Sequence, residues 1–212
     1  MKIWMDGCFD MMHFGHANVF RQAKHLGSKL IVGVSSNEEI EKHKGICVMD
    51  DKERYFMVES CRWVDEIRRD VPYVPNIKYV LEQGCKLIVH GDDLAISVSG
   101  DDCYTEARKL SMYKEVSRTK FVSTTDMVGR MLLQRNINID KAEYNKKANA
   151  SPESEYSQEK QQYLDDLLRK FELPQKNKNS DQKAVYIDGT FDLFHPGHAS
   201  LLKKCKDNGW FV

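Results

Sequence analysis

Asp6-Gly7-Cys8-Phe9-Asp10-Met11-Met12-His13-Phe14-Gly15-His16 is the stretch on which the reading of this 212-residue chain turns. It follows a short β-rich run, Ile3-Trp4-Met5, and opens a segment with apolar residues at Ala17, Val19, Phe20, Ala23 and Leu26. That order predicts strand, tight loop and amphipathic helix, with the loop delivering two histidines to the helix N-terminus. Free N–H groups and a partial positive charge make such a terminus a seat for phosphate. Gly15 leaves room for a phosphate to approach the backbone. Two imidazoles there could donate hydrogen bonds to charge developing on a phosphoryl oxygen. The plainer alternative is that the histidines only cap the helix.

The stretch occurs twice. Asp188-Gly189-Thr190-Phe191-Asp192-Leu193-Phe194-His195-Pro196-Gly197-His198 repeats it, and eight of the twelve positions from Asp6 to Ala17 are identical in the second copy. A repeat this dense marks a duplicated functional unit. Between the copies, residues 29–34 are near-continuously apolar, as a strand buried on both faces is. Strand, helix and strand at this spacing predict a right-handed βαβ unit and an α/β, doubly wound parallel sheet. Gly27 is expected to close the first helix, with Lys24 and His25 in its last turn. A polar segment over 35–45 follows.

Further helices are expected over 50–62, 77–83, 104–110 and 124–134, with strands over 63–67, over 87–90 and near Phe121-Val122. Prolines at 72 and 75 force a loop between. From Asn136 to Lys183 the composition turns to Lys, Glu, Gln, Asn and Ser. Within that stretch Tyr163, Leu164, Leu167, Leu168 and Phe171 form an apolar stripe on a charged helix, and 175–182 reads as a flexible linker. The fold restarts at 184–187 and reaches its second strand only at 210–212. The expected organisation is a complete domain over 1–135, a charged linker with an amphipathic helix over 136–183, and an incomplete second copy over 184–212. The second copy supplies no counterpart of the basic turn at Lys44 or of the stretch 118–126. It is therefore expected to be catalytically silent and to dock loosely on the first domain.

Lys+Arg and Asp+Glu balance at 32 each, so no global field points to nucleic acid or an anionic membrane. Six scattered cysteines without C-x-x-C or zinc spacing argue against a disulfide framework or a metal cluster, and for a reducing, cytoplasmic setting. Neither a signal peptide nor an apolar run of membrane-spanning length is read. Ser123-x-x-Asp126 is a capping pattern that would start the last helix. Arg118, just before it, is a fork-shaped anion ligand. His90-Gly91-Asp92-Asp93 ends a strand, at the edge where doubly wound sheets bind ligands. A plain acidic turn is the alternative for either aspartate.

The duplicated stretch and Arg118-Thr119-Lys120-Phe121-Val122-Ser123-Thr124-Thr125-Asp126 resemble the cytidylyltransferases that make CDP-ethanolamine, CDP-choline and CDP-glycerol. The likeness covers 1–134, and 184–212 as the start of a second copy. It implies cytidylyl transfer from CTP, as its Mg²⁺ complex, to phosphoethanolamine, with phosphocholine or glycerol 3-phosphate as alternative acceptors; a non-catalytic nucleotide-binding fragment is the rival reading. It implies that His13, His16, Lys44 and Arg118 are catalytic, with Lys44 bridging the phosphates of both substrates. Gly7, Cys8, Phe9, Asp10, Gly15, Asp92 or Asp93, Ser123, Thr124 and Thr125 would line the nucleotide site. Tyr73 stands where choline-type relatives carry Trp, and would help to bind the acceptor. Phe121 departs from the family pattern, which has Gly there. Paired domains in the family leave a homodimer open.

Overall fold

The computed structural model describes residues 1–135, 155–172 and 179–211. Five parallel strands form one sheet: β1 (Lys2–Gly7), β2 (Lys29–Val34), β3 (Glu66–Arg69), β4 (Cys85–Gly91) and β5 (Tyr113–Val116), in the order β3-β2-β1-β4-β5. Side chains alternate along β1, so Ile3 and Met5 enter one core and Trp4 the other. The first core is covered by α1 (Phe14–Lys24), through Phe20 and Ala23, and by α3 (Asp51–Glu59), through Tyr55 and Val58. The second is covered by α4 (Ile77–Glu82), through Ile77 and Val80, and by α5 (Thr105–Lys109), through Ala107. This is the doubly wound sheet expected. Ile3, Leu30 and Ile31 are fully buried, and each such side chain contributes about 1.5–3 kcal/mol. The strand order reverses direction between β1 and β4, so their carboxyl ends flank an open crevice.

Several boundaries move, each for a local reason. The first helix ends at Lys24 with His25 as its cap. Gly27 does not close it; a Cβ there would lie 2.5 Å from the Met1 carbonyl oxygen, so the residue is glycine because two chain segments touch. The polar segment contains a helix, α2 (Asn37–His43), begun by Ser36, whose hydroxyl accepts from Glu39 N at 3.1 Å. The third strand begins at Glu66 rather than at Trp63. Asp65 is held in the preceding turn, where its carboxylate accepts from Leu30 N at 2.6 Å. No strand forms at Phe121-Val122, because Phe121 adopts φ +65, which a regular strand excludes; the edge strand is β5 instead.

The last helix of the first unit is α6 (Thr124–Arg135). Residues 136–154 and 173–178, which include much of the proposed linker, lie outside the described residues. The amphipathic helix is α7 (Glu155–Arg169). Leu167 on it is buried, but Leu168 is 52% exposed and does not belong to the packed stripe. In the second copy α8 (Pro196–Asp207) lies against α3. Residues 184–187 form no strand, only a single parallel bridge from Ala184 to Phe211. That bridge has the spacing of the Lys2–Lys29 pair in β1 and β2.

Candidate active site

The loop between β1 and α1 is built on two residues in the left-handed region, Phe9 at φ 53 and Met11 at φ 46. Each costs about 1–2 kcal/mol, offset by burial of both side chains. His13 is the N-cap of α1, and its Nδ1 accepts from Gly15 N at 3.0 Å. His16 Nδ1 accepts in turn from His13 N at 3.2 Å, a reciprocal capping box made of histidines. Capping and chemistry are therefore compatible: with Nδ1 occupied as acceptor, each neutral ring carries its proton on Nε2. Gly15 is required by the cap itself, since a Cβ would meet His13 Cε1 at 2.7 Å.

Burial holds both imidazoles neutral. It lowers His13 from 6.5 to about 4, with the Arg118 charge adding to the effect. His16 falls to about 3, by burial first and then by the charges of His13, Lys44 and Arg118. Neutral Nε2–H groups can donate to an anion without a proton having to be taken up first.

Both histidines face a cleft of about 770 Å³ at the carboxyl ends of β1 and β4. Gly7, Cys8, Phe9, Asp10 and Gly15 line it from the first loop, and Lys44 and Tyr73 from the side of β2. Asp93, Arg118, Ser123, Thr124 and Thr125 complete the far wall. The fold thus gathers every residue proposed from sequence except Asp92. Asp92 instead accepts from Arg118 N at 3.2 Å, tying the two loops together. Asp93 faces the Arg118 guanidinium at 3.8 Å, an exposed pair worth little by itself. Ser123 accepts from Asp126 N at 3.0 Å and donates to its carboxylate at 2.7 Å, so the expected cap forms and starts α6 at the cleft.

Asp10 has a structural task. Its carboxylate accepts from Met11, Val48 and Met49 N at 2.8–3.0 Å, which leaves little capacity for a nucleotide and fastens the segment after Lys44 to the histidine loop. Thr124 Oγ1 reaches the Asp10 carbonyl at 3.4 Å. Tyr73 stacks flat on His43, with ring centroids 4.6 Å apart at 10°.

Three contributors escape a reading of the sequence. Asp6, next to last in β1, lies on the cleft floor, 3% exposed, and accepts from Tyr104 Oη at 3.3 Å. Desolvation raises its carboxyl to about 7, partly countered by the tyrosine hydrogen bond. Tyr104 is itself 3% exposed and lines the cleft. Arg54 is fully buried and donates to Cys8 O at 2.7 Å, to Asn37 Oδ1 and to Asp51 at 2.9 Å, joining the histidine loop to α2 and α3. Its signal is its spacing, for 54, 57 and 58 share the buried face of α3.

Among the described residues no group of three or more His, Cys, Asp or Glu side chains converges on a cation position. All six cysteines are free, and no described helix is long and apolar enough to cross a membrane.

A Rossmann-like sheet with paired neutral histidines at a helix N-terminus, facing a lysine and an arginine across a cleft, is the framework of a nucleotidyltransferase. The chain belongs to the cytidylyltransferase-like family, whose model matches residues 4–130. It is 41% identical over its whole length to a probable ethanolamine-phosphate cytidylyltransferase of Encephalitozoon cuniculi, covering 62% of that protein. It is 39% identical to the ethanolamine-phosphate cytidylyltransferase of Dictyostelium discoideum, again over its whole length and 61% of the relative. The Mus musculus enzyme of that name is 35% identical over 96% of this chain and 57% of its own. The chain thus spans about three fifths of the length of these relatives.

Proposed function

We propose that the chain transfers a cytidylyl group from CTP, taken as its Mg²⁺ complex, to phosphoethanolamine, releasing pyrophosphate. The observation that carries this reading is one cleft holding two kinds of site. Its cationic wall suits a triphosphate, and its floor holds a buried carboxyl that suits an amine. The names of the three relatives support the same acceptor.

In this reading a phosphate oxygen of phosphoethanolamine attacks the α-phosphorus of CTP, and the bond to the β-phosphate oxygen breaks. No covalent protein intermediate is involved; the protein aligns two polyanions and neutralises charge in the transition state. His13 and His16 donate from Nε2 to the phosphates, and the free N–H groups of α1 add to them. Lys44, on the exposed rim, bridges the phosphates of both substrates, and Arg118 with the start of α6 receives the leaving pyrophosphate. The substrate ammonium sits against Asp6 and Tyr104, with Tyr73 as the flat wall beside it. An ammonium there favours the ionised carboxylate and offsets its desolvation.

The catalytic unit is 1–135, with 184–212 as a non-catalytic repeat. Synthesis of a phosphatidylethanolamine precursor in the cytoplasm fits the six free thiols. The deciding test incubates the 212-residue chain with CTP, Mg²⁺ and phosphoethanolamine, phosphocholine or glycerol 3-phosphate in turn. CDP-ethanolamine is the expected main product; a preference for either other acceptor overturns the assignment, and no turnover of any leaves a nucleotide-binding fragment.

A further inference from the structure

Arg118, Thr119 and Lys120 form the approach to the anion-binding start of α6, and each is tethered by a different element. Arg118 N donates to Asp92 at the end of β4, and Asn18 Nδ2 on α1 donates to Thr119 Oγ1 at 3.0 Å. Lys120 N donates to Tyr163 Oη at 3.2 Å, and Tyr163 belongs to α7. Two tethers come from the family-matched region; the third comes from outside residues 4–130. The next residue, Phe121, holds φ +65 and meets the Tyr163 ring edge-to-face at 5.9 Å. A bulky side chain in that conformation persists only where its surroundings fix it. The helix that supplies Tyr163 is anchored at its end: Phe171 packs on Phe14 at 4.7 Å and on Trp63 at 6.2 Å, with Arg21 over its ring at 5.5 Å.

We propose that α7 is a brace for the nucleotide-binding loop, with Tyr163 as a positioning residue that holds the Lys120–Phe121 turn ready for CTP. The inference rests on the assignment of this loop to CTP. It explains how the chain tolerates Phe121: the ring that disfavours the turn is also the handle by which Tyr163 steadies it. Tyr163 is not among the residues that line the cleft and reaches it only through Lys120 and Phe121, in the loop assigned to CTP, so its influence falls on CTP binding rather than on the acceptor.

The test compares the full 212-residue chain with Tyr163→Phe, Tyr163→Ala, Phe121→Gly and the double variant Tyr163→Ala/Phe121→Gly. CTP affinity, KM for each substrate and amide hydrogen exchange over 119–123 are measured. Tyr163→Ala should speed exchange at Lys120 and weaken CTP binding about tenfold, an expectation for losing a hydrogen bond and a packed ring together. KM for phosphoethanolamine should stay unchanged. Tyr163→Phe keeps the ring and should show the smaller loss. Glycine takes φ +65 without a brace, so in the Phe121→Gly background Tyr163→Ala should cost less, through the bond from Lys120 N alone. Equal losses in both backgrounds, or parallel losses for both substrates, overturn the brace. If Tyr163→Ala does not fold, Tyr163→Phe with unaltered exchange and CTP affinity overturns it as well. Exchange is read without any turnover. A chain that makes no CDP-ethanolamine but shows the expected exchange pattern therefore defeats the proposed reaction and leaves the brace standing.

Discussion

The two histidine turns share one backbone and differ in what faces them. His13 has φ −133 and ψ 178, and His195 has φ −137 and ψ 174. Each caps its helix through the glycine two residues on, and each pair of rings lies 4.0 Å apart. Even the left-handed residues recur, at Phe191 and Leu193, both with φ 48. Around the first turn the cleft carries Lys44, Arg118 and a buried Asp6. Beside the second is a cavity of about 330 Å³ whose lining, among the described residues, is Val185, Tyr186, Ile187, Phe191, Phe194 and Leu202. The motif encodes a turn; the sheet and loops around it encode the chemistry.

The sharpest way to break that comparison is His16→Ala. In the first copy the loss should fall on transition-state charge, lowering kcat by about 10²–10³. The measurement is steady-state kcat beside a thermal melt. Unchanged turnover with a normal melt reduces the first turn to a cap like the second.

Asp6 and its counterpart Asp188 differ in burial, one on a closed floor and the other exposed. Asp6→Asn should lower kcat/KM for phosphoethanolamine about 10- to 100-fold, the range for a charged hydrogen bond, while CTP affinity holds. Because burial raises Asp6 to about 7, the carboxyl of the free protein is largely neutral below that pH. The acceptor's kcat/KM should therefore rise with pH through about 7 and level off, and the Asn variant should lose this limb. A profile unaltered by the substitution removes Asp6 from the amine site.

What was legible in the sequence follows the same division. The turn, the β1–α1–β2 unit and the cap at Ser123 are local, so residue spacing alone specified them. Asp6 falls in the expected tight loop, because nothing local announces that Tyr104, 98 positions away, closes over it. Trp63-Val64-Asp65 has strand composition, but the bond from Leu30 N to Asp65 fixes a turn there. α2 was hidden because its seven residues bury only Ile40, too little for a periodic signal. The brace joins Lys120 to Tyr163, 43 positions further on, and no pattern within either stretch describes it.

The lowered histidines make the first turn sensitive to acid. The unfolded chain takes up protons on these rings near 6.5, whereas the folded chain resists until about 4 for His13 and about 3 for His16. Between those limits the unfolded state binds more protons, so stability falls as pH drops. Urea unfolding of the apo chain from pH 7 to pH 4 should show that decline, with a shallower slope for His13→Ala/His16→Ala. Equal slopes would mean that the rings are not held neutral by their burial.

The smallest effect should come from His198→Ala. His198 Nδ1 accepts from His195 N at 3.3 Å, so its removal costs one capping interaction of α8, about 0.5–2 kcal/mol. Among the described residues the cavity beside its turn is lined by aliphatic and aromatic side chains, and Asp188 is exposed rather than built into a floor. Turnover of the 212-residue chain should stay at the wild-type value while α8 loosens from α3, a change that hydrogen exchange in α8 would read. Measured beside His16→Ala, the pair separates a turn from a site. If His198→Ala abolished turnover in a protein that still folds, the phosphates would have to meet the second turn, and the cationic cleft at β1 and β4 would lose its claim to the chemistry.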